Sequence, residues 1–292
     1  MPEQELAAAV ARVWPDGVST WEPLGGGITN ANLKVTRPDG IVVLRIAGHE
    51  TDLLGIDRAV ELEATRSAAA LGVGPAVVDF VEPEGWLVTS FVEGEPPSVE
   101  RLREPEQLAR VARLLRRVHD GPRIPGRFDA LAVVEAYRDT ALARGATLPH
   151  GFERAYQLGR QIVVRRAAEP LVACHNDLLT ANFIEDGERL WLVDWEYAGM
   201  GDRLFDLANF AVNHELDADG RAAFLRAYGL GEEALADLDL MRFISDFREA
   251  MWGVVQGVVS GLDFDFDAYA AQHFERMERT SAEPAFRAAL GP

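Results

Sequence analysis

Only one cysteine and one lysine occur in 292 residues. With Cys174 alone no intramolecular disulfide can form, and this usage fits a reducing, intracellular setting. Cys174 is read as a packing residue beside His175, because nothing in the chemistry below asks for a thiol. Positive charge is scarce overall: 29 Lys and Arg stand against 47 Asp and Glu, a formal net charge of −18. That balance argues against nucleic acid and anionic membrane surfaces as partners and attracts cations. No apolar run approaches the roughly 18 residues of a membrane span. No basic segment precedes the short alanine run near the amino terminus either, so the expectation is a cytoplasmic protein with neither span nor secretory leader. Internal repeats and low-complexity tracts are also lacking.

What is present is an ordinary globular composition, 48% hydrophobic and 26% charged, long enough for one large domain or two lobes with a full core. The informative stretch is residues 174–206, CHNDLLTANFIEDGERLWLVDWEYAGMGDRLFD. His175 and Asp177 are followed five places after the Asp by Asn182, then by a short apolar run ending in Asp194. Phosphoryl transfer from a nucleotide needs a carboxylate beside the incoming hydroxyl and Mg2+ held by hard oxygen ligands. Asp177 can supply the first, and Asn182 and Asp194 the second. Residues 190–193, Leu-Trp-Leu-Val, read as a short buried strand that would present Asp194 from a rigid element. Any one of these residues alone would be read as capping a turn or a helix; it is the set, at this spacing, that points to chemistry.

Ahead of this window, residues 3–13 have a helical pattern. A strand at 18–24 then leads into Gly25-Gly26-Gly27-Ile28-Thr29-Asn30, and two further strands turn at Pro38-Asp39-Gly40. Successive glycines let backbone N–H groups approach phosphate oxygens, and Thr29 and Asn30 add side-chain donors. Strands at 77–81 and 86–92 follow a helix at about 56–71, which ends at Gly72 and Pro75. The break at residues 94–97 divides the chain into 1–93 and 94–292. Helical patterns occupy 105–119, much of 130–167, 204–214, 221–229 and 239–258. His119 is read as a capping or packing residue.

The window resembles the catalytic loop and metal segment of the choline/ethanolamine kinase and aminoglycoside phosphotransferase superfamily, and the Asp-Trp-Glu-Tyr-Ala-Gly run at 194–199 is most similar to the choline-kinase branch. The resemblance implies an α+β, protein-kinase-like fold: a small antiparallel-sheet lobe with one helix, then a larger, mostly helical lobe. It implies Asp177 as catalytic base, with His175, Asn182 and Asp194 as further catalytic residues, Asn182 and Asp194 as Mg2+ ligands, and Asp206 as a brace. It also implies Arg45 as the phosphate-contacting cation of the third strand, since Lys34 lies too near the Gly-rich loop. Glu63 is the expected partner of Arg45, with Glu61 turned to another helix face. Residues 90–92 would face the adenine, chiefly through Ser90 and Val92.

Toward the carboxyl terminus, Trp252, Phe264 and Tyr269 match aromatic positions of the choline-binding end, where ring faces attract a cation that lacks N–H groups. With Asp177, Glu196 and Glu249 they form the expected substrate side. Glu249 and Asn213 depart from the animal choline-kinase pattern, which has Trp and Glu at these places. The implied activity is ATP- and Mg2+-dependent phosphorylation of a small cationic amino alcohol. Alternative readings are an aminoglycoside phosphotransferase, a kinase of thiamine, homoserine or a sugar, and a catalytically silent nucleotide-binding protein on the same fold.

Overall fold

A computed structural model describes residues 1–25, 30–48 and 51–291 of the chain. Period-two alternation organises its first part. Strands β1 (Thr20–Leu24), β2 (Asn30–Arg37) and β3 (Gly40–Ala47) are antiparallel neighbours. Leu33 and Val35 pair with Leu44 and Val42, and all four are buried with Ile46 against Leu6, Ala9 and Val10. Those last three lie on helix α1 (Glu3–Val13), which therefore covers one face of the sheet. The intervening residues, Asn32, Lys34, Val43 and Arg45, point to the opposite face, and a slip of one residue would exchange the two sets. Gly26, Gly27 and Thr29 of the expected phosphate loop lie outside the described residues.

Helix α2 (Arg58–Ala70) starts at Asp57, whose carboxylate accepts from the N–H groups of Ala59 and Val60. Such a cap typically contributes about 1 kcal/mol. The buried stripe of α2 is Glu61, Ala64, Thr65 and Ala68, at the i, i+3, i+4, i+7 spacing of one helical face. Strands β4 (Val77–Val81) and β5 (Trp86–Ser90) complete a five-stranded sheet in the order β1-β2-β3-β5-β4.

Beyond β5 the chain passes Gly94 at φ +146°, where an added Cβ would stand 2.4 Å from the Glu185 carbonyl oxygen. Glycine permits this approach, and Glu95 and Glu185 exchange backbone hydrogen bonds there, at 3.3 and 3.0 Å. We propose the lobe boundary at this crossing, between residues 93 and 94, because helices dominate after it. They are α3 (Val99–Arg103), α4 (Pro105–His119), α5 (Ala130–Ala143) and α6 (Phe152–Arg166). Two short two-stranded sheets follow, from β6 (Leu171–Cys174), β7 (Phe183–Glu185), β8 (Leu190–Leu192) and β9 (Gly199–Asp202), with β6 pairing β9 and β7 pairing β8. The chain ends in α7 (Arg203–Asn213), α8 (Ala218–Tyr228), α9 (Leu235–Val259), α10 (Phe266–Ala282) and α11 (Pro284–Leu290). Helix α9 runs through the middle, touching α5, α7 and α10. Its buried positions extend all round, including the charged Asp246, Arg248 and Glu249, which apolar packing alone does not require.

This is the expected α+β, protein-kinase-like arrangement of an antiparallel sheet with one helix followed by a mostly helical part. No helix among the described residues is long and apolar enough to cross a membrane.

Candidate active site

The catalytic window is a loop held from below by buried carboxylate and amide groups. Strand β6 ends at Cys174, and the next two backbone N–H groups, of His175 and Asn176, donate to the Asp206 carboxylate at 2.9 and 2.7 Å. Asn176 adopts a left-handed φ of +68° and its amide nitrogen donates to the Tyr197 carbonyl at 3.0 Å. Leu178 N–H donates to Asn209 Oδ1 at 2.6 Å, and Asn209 donates onward to Ser245 at 3.0 Å. Asp206 thus braces the loop as expected, and its bonds, led by the one from His119, hold its pKa below the usual carboxylate value despite burial.

His175 and His119 both belong to this brace. The Asp177 N–H donates to His175 Nδ1 at 3.2 Å, so the proton sits on Nε2, which donates to the Val193 carbonyl at 3.0 Å. Burial lowers the His175 pKa and keeps the ring neutral. With both nitrogens used and no exposed surface, His175 corrects its expected catalytic role: it is a strut tying the loop to the segment before Asp194. His119 donates from Nε2 to Asp206 at 3.0 Å and accepts from the Tyr228 hydroxyl at 2.7 Å. His119, Cys174 and Asp206 bring ligand atoms within 4.8 Å of one another, yet burial pushes the thiol well above its ordinary pKa. The Asp206 oxygens are already spent on the loop, so the trio braces rather than binds metal.

Asp177, Asn182 and Asp194 come together as their spacing anticipates. The Asn182 amide nitrogen donates to the Asp177 backbone carbonyl at 2.8 Å and to its carboxylate at 3.1 Å. That orientation leaves Asn182 Oδ1 without a hydrogen-bond partner among the described residues. Asp194, just past β8, takes a left-handed φ of +65° and meets Arg45 through one carboxylate oxygen, the other having no hydrogen-bond partner among the described residues. An amide oxygen and a carboxylate oxygen lining one cleft are the hard donors Mg2+ requires. Asp177 is 9% exposed. Burial is the main cause that raises its pKa to about 7, with Glu249, Asp194 and Glu196 adding to the rise and Arg248 opposing it.

The Arg45 partner differs from expectation. Arg45 pairs with Glu61, not Glu63; Glu63 is exposed and binds Arg66 at 2.6 Å. The cause is helix phase, because Ala64, Thr65 and Ala68 turn Glu61 inward and leave Glu63 about 200° away around the axis. The same corner corrects two further assignments. Asn30 spends its side chain on Glu196 at 2.8 Å and Arg58 at 3.0 Å, leaving neither end for phosphate. Glu196, expected on the substrate side, instead accepts from Asn30 and Arg58 and links the sheet to the catalytic segment. Glu61→Gln is expected to lower kcat/KM at least 10-fold through loss of Arg45 orientation, and Glu63→Gln to stay within twofold. Steady-state kinetics on the two variants checks this, and equal losses would contradict the pairing.

Arg248, Arg58 and Tyr197 have no role predicted from the sequence, although Tyr197 lies within the 194–199 run. Arg248 is 1% exposed, lies over the Tyr197 ring at 4.5 Å, contacts Asp177 at 3.4 Å and pairs with Glu249. The other oxygen of Glu249 accepts from the Tyr269 hydroxyl at 2.8 Å. The signal for Arg248 was available: an Arg-Glu pair inside the apolar stretch of α9 must be partnered if buried. Trp252, Phe264 and Tyr269 do gather: Trp252 and Tyr269 stand edge to face at 5.5 Å, and Phe264 and Tyr269 at 6.0 Å. Phe264 is exposed and Trp252 buried.

Between the sheet and the catalytic loop lies a cleft of about 530 Å³. Gly25, Arg45 and Glu61 line it from the sheet side, Ser90 from the end of β5 and Val92 from just beyond it, and Asn182 and Asp194 from the loop.

Comparison with known proteins agrees with this geometry. A model of the phosphotransferase enzyme family matches residues 20–244. A probable ethanolamine kinase of Arabidopsis thaliana is 25% identical over 307 residues, spanning 91% of this chain and 81% of that protein. The solved choline/ethanolamine kinase family protein of Mesorhizobium loti is 32% identical, superposes with a TM-score of 0.84 and covers 99% of this chain and 98% of its own. Choline kinase from Streptococcus pneumoniae superposes at 0.79 with 22% identity, covering 96% and 98%.

Proposed function

Because the chain belongs to the phosphotransferase enzyme family, on its choline/ethanolamine kinase branch, and is a small-molecule kinase with an alcohol acceptor, we propose that it transfers a phosphoryl group from ATP, with Mg2+, to the hydroxyl of a small cationic amino alcohol. The observation that carries the reading is the Asn182 side chain, which fixes Asp177 through its nitrogen and offers its oxygen to the cleft that Asp194 also lines. One residue therefore couples the hydroxyl-binding carboxylate to the phosphate end.

In this reading Asp177 accepts a hydrogen bond from the acceptor hydroxyl and takes its proton as the oxygen attacks phosphorus. A carboxyl raised to about 7 changes protonation state near neutral pH, which suits that exchange. Arg45, aligned by Glu61 and Asp194, supplies positive charge to the phosphate oxygens, where charge is borne in the transition state. Asn182 and Asp194 would hold Mg2+, which when bound neutralises phosphate charge and aligns it for in-line transfer. The loop brace from Asp206, His119 and Asn209 fixes Asp177 before substrate arrives, so little reorganisation is needed during reaction.

The acceptor side supports a cation through the faces of Trp252, Phe264 and Tyr269 and the charge on Asp177. Glu249 contributes less than its charge suggests, since Arg248 and Tyr269 occupy its oxygens. The net charge of −18 adds a long-range attraction for cationic acceptors.

The test is ADP release with Mg-ATP across choline, ethanolamine, thiamine, homoserine and several aminoglycosides, with Asp177→Asn as control. Saturable turnover on choline or ethanolamine supports the proposal. Turnover on an aminoglycoside or on thiamine instead would move the acceptor assignment while leaving phosphoryl transfer in place, and nucleotide binding without turnover on any of them would favour a silent binding protein.

A further inference from the structure

Lys34 is the single lysine of the chain, every other one of its 29 cationic side chains being Arg. It lies inside the cleft. Alternation along β2 puts it on the same face as Asn32, and across the ladder it opposes Glu22 of β1 and Val43 of β3. Its ammonium stands 4.7 Å from the centre of the Phe91 ring and 3.5 Å from a Glu22 carboxylate oxygen. Among the described residues lining the cleft, Lys34 and Arg45 are the only cations.

The two cations are held differently. Arg45 is buried between Glu61 and Asp194, which marks the phosphate end. Lys34 is opposite Val43, two residues before Arg45 on β3, so it stands roughly 7 Å along the strand from the Arg45 row. There Phe91, directly after β5, contributes a ring to the same cleft.

We propose that Lys34 binds the nucleotide at its base and ribose end, an inference that rests on the reading of this cleft as a nucleotide site. The Lys34 side chain is 29% exposed and that of its Glu22 partner 67% exposed, so their ion pair contributes little and is readily exchanged. Three rotatable N–H donors on a flexible stem can turn to ring nitrogens, carbonyl oxygens or ribose hydroxyl oxygens, all of which accept. A compact ammonium sits over the Phe91 ring and against Glu22 at once, whereas a planar guanidinium fork has a fixed donor geometry. That difference gives a physical reason for lysine at this position in a chain that otherwise uses arginine.

Two measurements test it. By titration calorimetry with Mg2+, ATP and GTP are bound to the wild-type protein, to Lys34→Met and to Lys34→Arg. The expected result is about 10-fold weaker nucleotide binding for Lys34→Met, the size of one lost charge-assisted hydrogen bond, carried by the nucleotide KM rather than by kcat or the acceptor KM. Lys34→Arg is expected to recover only part of the loss. The second measurement needs no variant: wild-type protein is acetylated with an N-hydroxysuccinimide ester and mapped by peptide mass. Saturating nucleotide should slow Lys34 modification at least fivefold without protecting the amino-terminal amine. If the wild type binds neither nucleotide, the cleft reading fails and the inference goes with it. If it binds normally while Lys34→Met keeps its affinity within twofold and Lys34 is acetylated equally fast with nucleotide present, the inference alone is overturned.

Discussion

Asp177→Asn is expected to reduce kcat by about 10² to 10⁴, the contribution of a positioned general base, while nucleotide affinity stays within a few-fold. The substitution keeps the shape of the side chain, and Asn182 and Arg248 still surround it. What it removes is the capacity to accept the hydroxyl proton. The wild-type pH profile of kcat/KM should fall as pH drops below about 7, since burial raises the Asp177 pKa to about 7 and the protonated acid cannot act as base. The residual activity of Asp177→Asn should lack that limb. Near wild-type turnover in the variant would refute the assignment.

The same carboxyl makes a stability prediction with a definite sign. Its folded pKa lies above its ordinary value of 3.8, so between those two values the folded state binds more protons than the unfolded one. Stability therefore declines as pH rises through this window, and the cost of holding a buried carboxylate ionised is fully present above about 7. Replacing it with Asn removes that cost. The variant should gain melting temperature relative to wild type at pH 8 and gain little near pH 4, as read by calorimetry at both pH values.

The second large effect is expected at Arg248. Arg248→Met should destabilise the protein by about 3–5 kcal/mol, because removing one partner leaves Asp177 and Glu249 as neighbouring buried carboxylates without their shared cation. Burial alone already opposes ionisation of both groups, and the guanidinium offsets it in each. The cost comes from the stranded charges more than from the lost contact, so the double variant Arg248→Met, Glu249→Gln should recover a substantial part of the loss. That recovery is a coupling between adjacent groups that separate substitutions do not show. Denaturant titration of the wild type, the two single variants and the double variant gives the full cycle. A single Arg248→Met variant within 1 kcal/mol of wild type would mean that the ion pair is not a structural necessity of the site.

Local patterns were readable where the chain determines its own geometry. The spacing from Asp177 to Asn182 is short enough for one loop to bring an amide onto a carboxylate, and it does so. Helices α1 and α4 fall at residues 3–13 and 105–119 as the periodicity indicates. Strand alternation also fixed which residues of β3 share a face, putting Arg45 opposite Leu44 in orientation. For α2 the phase of the helix is written in its small residues. Counting from Glu61, the small residues Ala64, Thr65 and Ala68 mark the inward stripe, and Glu63 falls outside it.

The sequence by itself determined the chemistry on offer: a carboxylate, an amide and a second carboxylate in one window, an Arg on a strand, and a cluster of aromatics near the end. Tertiary structure decided which of these groups face each other. Glu61 meets Arg45, Glu196 turns to Asn30 and Arg58, Arg248 reaches beneath Asp177, and Lys34 enters the cleft beside Phe91. The physical reason is range. Spacing along a helix or strand sets direction only relative to its own axis, whereas the rotation of that axis against its neighbours is set by the packing of apolar residues far away in sequence.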